Sequence, residues 1–162
     1  MYVCRPATRD DFPIVAAFPQ SEDELFFMFP SADYPLRAEQ LEANARDRLF
    51  PTVVTDDAGA VAGYANIYGY TEGSHCSLGN VIVSPDHRGR GAARFLIETM
   101  IAKARDELRV PRLVLTCHHP NTRGMLFYDK LGFKPFGLKK ITNRRGDVIV
   151  GILFEMHLHE RI

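Results

Sequence analysis

The sequence predicts an α/β (α+β) fold: a single mixed, mostly antiparallel sheet of about seven strands carrying four helices, in the order βααβββαβαββ. Three observations carry this expectation. Runs of β-branched and aromatic residues broken by turn residues recur along the chain, and three of them follow one another in its middle. The stretch "NVIVSPDHRGRGAARFLIETMIAKA", Asn80 to Ala104, passes from a β-branched run through a glycine-rich turn into an amphipathic helix. With "RLVLTCH" behind it, that stretch forms a crossover, so the fourth and fifth strands are expected to be parallel while most other pairs are antiparallel.

Taken in order, "MYVCRPA" reads as the first strand. A helix follows from about Asp10 to Phe18, capped by Thr8 or Asp10. The second helical pattern places Ala38, Leu41, Ala45 and Leu49 on one stripe. "PTVVTD", the Asp57-Ala58-Gly59 turn and "AVAGYANIY" form a hairpin, and "CSLGNVIV" adds a strand to the meander. Beyond the glycine-rich turn, Ala93, Leu96, Ile97, Met100, Ile101, Ala104 and Leu108 recur at helical spacing. "RLVLTCH" is the fifth strand and "TRGMLFYDKLG" a short helix stopped by Gly132. "FGLKKITN" and "DVIVGILFEMHLH" close the chain as a hairpin around Arg145-Gly146.

At 162 residues and 46% hydrophobic content the chain fits one domain, residues 1–162, with enough apolar material for a core. Twenty Lys+Arg balance twenty Asp+Glu, so no whole-molecule field draws nucleic acid or an anionic membrane, and any basic site is local. Cys4, Cys76 and Cys117 are an odd set without CxxC spacing, and "MYVCRPATRDDF" lacks the apolar stretch of a signal peptide. No apolar run approaches the roughly 18–20 residues of a membrane helix. A cytoplasmic protein is expected, monomer or homodimer.

The turn between the fourth strand and its helix is where chemistry concentrates. A helix N-terminus offers unpaired N–H groups and partial positive charge, and glycines let a ligand meet bare backbone there. Gly89 and Gly91 supply that freedom, while Arg88, Arg90 and Arg94 add charge-assisted donors suited to phosphate. On this local pattern alone the stretch fits equally a plain strand-to-helix turn with a solvated arginine edge. Neither GxxxxGK[ST] nor a full GxGxxG is present.

Two motifs in order add what the turn alone does not. Arg88-Gly89-Arg90-Gly91-Ala92-Ala93 matches [Q/R]xxGx[G/A], and "NTRGMLFYDKLGF", Asn121 to Phe133, follows after the next strand. Together, over nearly the whole chain, they resemble the GNAT superfamily of acyl-CoA-dependent N-acyltransferases. The resemblance implies splayed fourth and fifth strands with coenzyme A in the gap. Main-chain groups of Val81, Ile82 and Val83 would pair with the pantetheine arm as an added strand. The N–H groups from Arg88 through Gly89, Arg90, Gly91, Ala92 and Ala93 to Arg94 would hold the pyrophosphate. Asn121 would bond the cofactor, and Tyr128 would stand beside its sulfur. The implied activity is acetyl transfer from acetyl-CoA to a primary amine of a peptide or small molecule, with a catalytically weak acyl-CoA-binding regulatory module as the alternative.

Direct attack of an amine on a thioester needs a neutral amine, a stabilised oxyanion and a proton for the thiolate. A phenol, pKa about 10, is protonated at neutral pH and can give that proton, the role assigned to Tyr128; without the motif it reads as a half-buried helix aromatic. Many relatives carry a glutamate on the fourth strand where this chain has Asn80, an amide that positions a water or the amine but takes no proton. Glu72 and His75 are weak candidates for the base, and a water relay comes first. Cys76 and Cys117 read as core residues. His118-His119 and His157/His159 are not a recognisable ligand set, so no metal is expected. Acceptor recognition falls to Pro19–Pro35: Glu22, Asp23 and Glu24 to attract a cation, Phe27, Phe29 and Tyr34 as an apolar wall, or simply an acidic helix start followed by core aromatics.

Overall fold

The computed structural model describes residues 1–159. Seven strands form one sheet: β1 (Val3–Pro6), β2 (Leu49–Thr55), β3 (Val61–Thr71), β4 (His75–Val83), β5 (Arg112–His118), β6 (Lys134–Thr142) and β7 (Val148–His157). Their order is β1-β2-β3-β4-β5-β7-β6. The pairs are antiparallel except β4 with β5, which is parallel as the crossover requires.

Five α-helices accompany the sheet, one more than the sequence reading allows: α1 (Asp11–Ala16), α2 (Glu22–Met28), α3 (Ala38–Arg46), α4 (Ala92–Ala102) and α5 (Thr122–Leu131). The added helix is α2, seven residues with Ser21 as its N-cap, whose hydroxyl accepts from the Glu24 N–H at 3.1 Å. Leu25 and Met28 are its buried positions, and so short a span shows no full apolar period. Asp10, one of the two caps expected for α1, stands at its N-cap position. Asp10 makes no side-chain cap bond. Asp11, one residue on, is buried and takes the Thr8 N–H at 2.7 Å together with both arms of Arg5 at 2.6 and 2.9 Å.

Two cores lie on opposite faces of the sheet. Leu96, Ile97, Met100 and Ala104 of the crossover segment pack with Leu113, Leu115, Phe133 and Phe154. On the other face Phe12, Val15, Leu25, Met28 and Leu41 from the first three helices cover Val53, Tyr64 and Ile82.

One irregularity places the site. Tyr64 pairs with Ile82 and Asn66 with Gly79, so β4 carries an extra residue between those pairs. Asn80 takes it up with φ of 52°. Before this bulge Cys76 and Leu78 face the α4 core; after it Val81 and Val83 do, while Ile82 turns to the helices of the other face. The β4–β5 pairing is confined to Cys76↔Leu113 and Ser77↔Val114, so beyond it the two strands splay.

Asp11 gives the fold a pH-dependent term. Arg5 first, then Thr8, holds its carboxyl below the usual carboxylate range against the opposing effect of burial. A depressed folded pKa contributes stability that is present above the unfolded value near pH 4 and lost as pH falls through the folded one. Asp11→Asn should therefore lower stability by about 1–3 kcal/mol at pH 7, with the deficit shrinking in urea titrations repeated toward pH 3.

Candidate active site

The splay opens a cleft of about 810 Å³ between β4, β5, α2, the α4 turn and α5. Its β4 wall consists of Leu78, Asn80, Val81, Ile82 and Val83, and its β5 wall of Leu115, Thr116 and Cys117. Strands that part this way leave main-chain groups facing the gap, an unfilled strand position.

At one end lies the turn into α4. Gly89 and Gly91 have φ of 73° and 85°, left-handed values that favour glycine, and no atom stands within 4 Å of a Cβ added at either. Gly91 caps α4; the Phe95 N–H reaches its carbonyl at 3.1 Å, which leaves the first-turn N–H groups of Ala92, Ala93 and Arg94 without helical acceptors. Arg88, Gly89, Gly91, Ala93 and Arg94 line the cleft. Ala92 is buried beneath the helix start, and the Arg90 carbonyl accepts from the Tyr2 hydroxyl at 3.2 Å. The Arg88 guanidinium spans the cleft, with Nη2 2.5 Å from Glu24 of α2 and Nε 3.4 Å from the Val83 carbonyl.

At the other end α5 supplies two cleft residues. Asn121 caps the helix, accepting from the Gly124 N–H at 3.0 Å through Oδ1. Tyr128 is half-buried, its ring edge-on to Phe127 and Phe133 at 5.6 and 5.7 Å. Its hydroxyl has no hydrogen-bond partner among the described residues. Burial, and secondarily Cys117, raises its pKa above the ordinary phenol value, so the phenol is a protonated group at neutral pH.

This architecture has close counterparts. The model of the acetyltransferase (GNAT) family matches residues 14–133. The chain belongs to that family. Solved GNAT-type structures superpose over almost its full length. Spermidine N-acetyltransferase from Vibrio cholerae, solved with CoA and spermine, has a TM-score of 0.81 at 16% identity, covering 97% of this chain and 95% of that one. A GNAT-family acetyltransferase from Bacillus anthracis gives 0.78 at 16%, covering 98% and 96%. The ribosomal-protein-S18-alanine N-acetyltransferase of Escherichia coli gives 0.72 at 19%, covering 100% and 97%. At these identities the likeness speaks to the fold.

Within this GNAT site the expected residues separate. Glu24 and Phe27 line the cleft. Phe29 is instead buried in the core of the helical face, and Tyr34 lines a separate cavity of about 280 Å³ beside the β6–β7 turn. Asp23 and Asp33, on that second cavity, pair with Arg145 at 3.3 Å and Arg144 at 2.5 Å. Asn80 is committed to the fold: Nδ2 donates to the Met28 carbonyl at 2.8 Å and Oδ1 accepts from Asn66 at 2.8 Å. Glu72 and His75 sit at the β3–β4 turn and do not line the cleft.

The remaining groups weighed from the sequence have ordinary placements. Burial pushes the thiols of Cys76 and Cys117 up to about 11, far from nucleophilic thiolates at neutral pH. His118 is buried with its ring 4.6 Å from Phe26, and burial holds its pKa down; His119 Nδ1 accepts from the Val150 N–H at 2.9 Å. Among the described residues no cluster of three His, Cys, Asp or Glu side chains is placed to hold one ion. Sequence reasoning missed the Glu24–Arg88 tie, whose partners are far apart in the chain.

The turn yields a direct expectation. Gly91→Ala forces a Cβ into a left-handed position at a cost of about 1 kcal/mol and narrows the approach to bare backbone. Titration calorimetry should show at least tenfold weaker acetyl-CoA binding in a variant that still unfolds cooperatively. Unchanged affinity in the folded variant would remove the anion-site reading.

Proposed function

We propose that the protein is an acetyl-CoA-dependent N-acetyltransferase that moves the acetyl group to a primary amine by direct attack in a ternary complex, with Tyr128 as general acid. The observation that carries this reading is the Tyr128 hydroxyl, unpartnered and protonated, on the wall of a cleft whose far end is a glycine turn opening onto the start of α4. A module that merely binds acyl-CoA has no use for such a donor.

Coenzyme A would lie along Val81, Ile82 and Val83, with its pyrophosphate over residues 88–94 and its amide-rich arm near Asn121. The thioester then falls between the bulge and Tyr128. The neutral amine attacks the acetyl carbon, the tetrahedral intermediate collapses with cleavage of the C–S bond, and the leaving thiolate takes the Tyr128 proton. The proton lost by the amine passes through water to solvent, since Asn80 has no basic group to take it, and the Tyr128 phenolate regains a proton from solvent. Asn80 contributes by holding the bulge that parts the strands. Transfer through an acyl-cysteine is disfavoured by the raised thiol pKa values.

Tyr128→Phe keeps the ring and its packing and removes one hydroxyl. Steady-state thiol release should show kcat lowered about 10²–10⁴-fold with little change in the KM for acetyl-CoA, the pattern of an interaction made in the transition state. Activity within about threefold of wild type, with chemistry rate-limiting, would make Tyr128 a packing residue only. Tight acetyl-CoA binding with no thiol release across a broad amine panel would favour the binding-module alternative.

A further inference from the structure

The cleft gathers positive charge in a chain that is neutral as a whole. Arg88, Arg94 and Arg123 line it, and Glu24 is the one carboxylate among its lining residues. All three arginines are exposed, whereas Leu78, Leu115 and Cys117 of the same lining are buried. The cations thus stand at the mouth and the apolar groups lie deeper. A long ligand with one charged end suits that distribution, because phosphate kept at the mouth avoids the cost of full burial while the uncharged arm is enclosed.

Two of the three arginines are already engaged. Arg88 meets Glu24 across the cleft, and Arg94 Nε meets Glu98 one helical turn on at 3.0 Å. Besides the two expected residues, Asn121 and Tyr128, α5 brings Arg123 to the cleft wall, and Arg123 has no carboxylate within 4 Å among the described residues. The sequence explains the difference. Three and four positions along the helix from Arg123 stand Leu126 and Phe127, so no acid faces it where Glu98 faces Arg94. Nor does Arg123 serve the helix, since a cation in the first turn opposes the partial positive charge of a helix start. The remaining cations without a carboxylate partner among the described residues line neither cavity.

We propose that Arg123 is a further cofactor-binding residue, which receives a phosphate group of coenzyme A, either the pyrophosphate or the ribose 3′-phosphate, from the α5 wall. A planar fork of N–H donors matches phosphate oxygens in two parallel hydrogen bonds. Unlike Arg88 and Arg94, it gives up no existing ion pair to do so. This inference rests on coenzyme A lying in the cleft, as the proposed function requires, and adds a residue of α5 to those that would hold its charged end.

The test is titration calorimetry of coenzyme A and of 3′-dephospho-coenzyme A with wild type, Arg123→Gln, Arg123→Lys and Lys130→Gln. Lys130→Gln removes the same charge from the last turn of α5, outside the cleft. Arg123→Gln should bind coenzyme A about tenfold more weakly, with Lys130→Gln within about twofold of wild type. Arg123→Lys should recover part of the loss, and urea unfolding without ligand should be the same in wild type and Arg123→Gln. A loss that disappears with 3′-dephospho-coenzyme A assigns Arg123 to the 3′-phosphate, and an equal loss with both ligands assigns it to the pyrophosphate. Unchanged affinity in Arg123→Gln, an equal loss in Lys130→Gln, or no recovery in Arg123→Lys would overturn the assignment while leaving coenzyme A binding and N-acetyl transfer standing. No binding of coenzyme A by wild type would overturn the proposed function and this inference with it.

Discussion

The site depends on one extra residue in one strand. A regular β4 would continue its pairing with β5 and leave no gap; the bulge at Asn80 ends that pairing after Ser77↔Val114. A non-glycine residue at positive φ is costly and persists only where its surroundings fix it. Here the Asn80 amide does so, tied to Asn66 on one side and to the α2 backbone on the other. Asparagine tolerates this conformation better than most residues, and its two-ended amide matches the donor and acceptor that face it. The same change that opens the cleft also switches which residues face which core, so core packing and site geometry are set together.

Charge is arranged locally in a chain that is neutral as a whole. Glu24–Arg88 links α2 to the first residue of the glycine turn before α4, across the cleft. With both side chains about a third exposed, such a pair is weak as a source of stability, and its importance lies in where it holds two groups. The Arg144 and Arg145 pairs do the same for the β6–β7 turn, tying it to the segment around α2.

Elements with a full period or strong punctuation were legible in the sequence. The seven strands, the parallel crossover, α4 and the Gly132 stop of α5 all follow from local pattern and turn chemistry. The cleft residues on the glycine turn and on α5 were legible from motif spacing. What escaped was set by contacts distant in sequence. α2 is too short to show a stripe, and its acidic start after Ser21 read equally as a helix start and as a segment attracting a cationic amine. The Asn80 amide meets Met28, 52 positions away, and nothing local reveals that its hydrogen bonds are already made. Arg48 is an ordinary residue between a helix and a strand until the fold sets it against Tyr68 and Gly79.

The central claim is that the gap between β4 and β5, opened at Asn80, is where coenzyme A lies. Amide hydrogen exchange with and without coenzyme A measures this directly, because a ligand paired with backbone slows exchange of the amides it covers. Slowed exchange is expected in residues 80–83 and 89–94, with residues 143–147 at the tip of the β6–β7 hairpin unchanged. Protection at that tip or beside the smaller cavity, with residues 80–94 unaffected, would contradict the account.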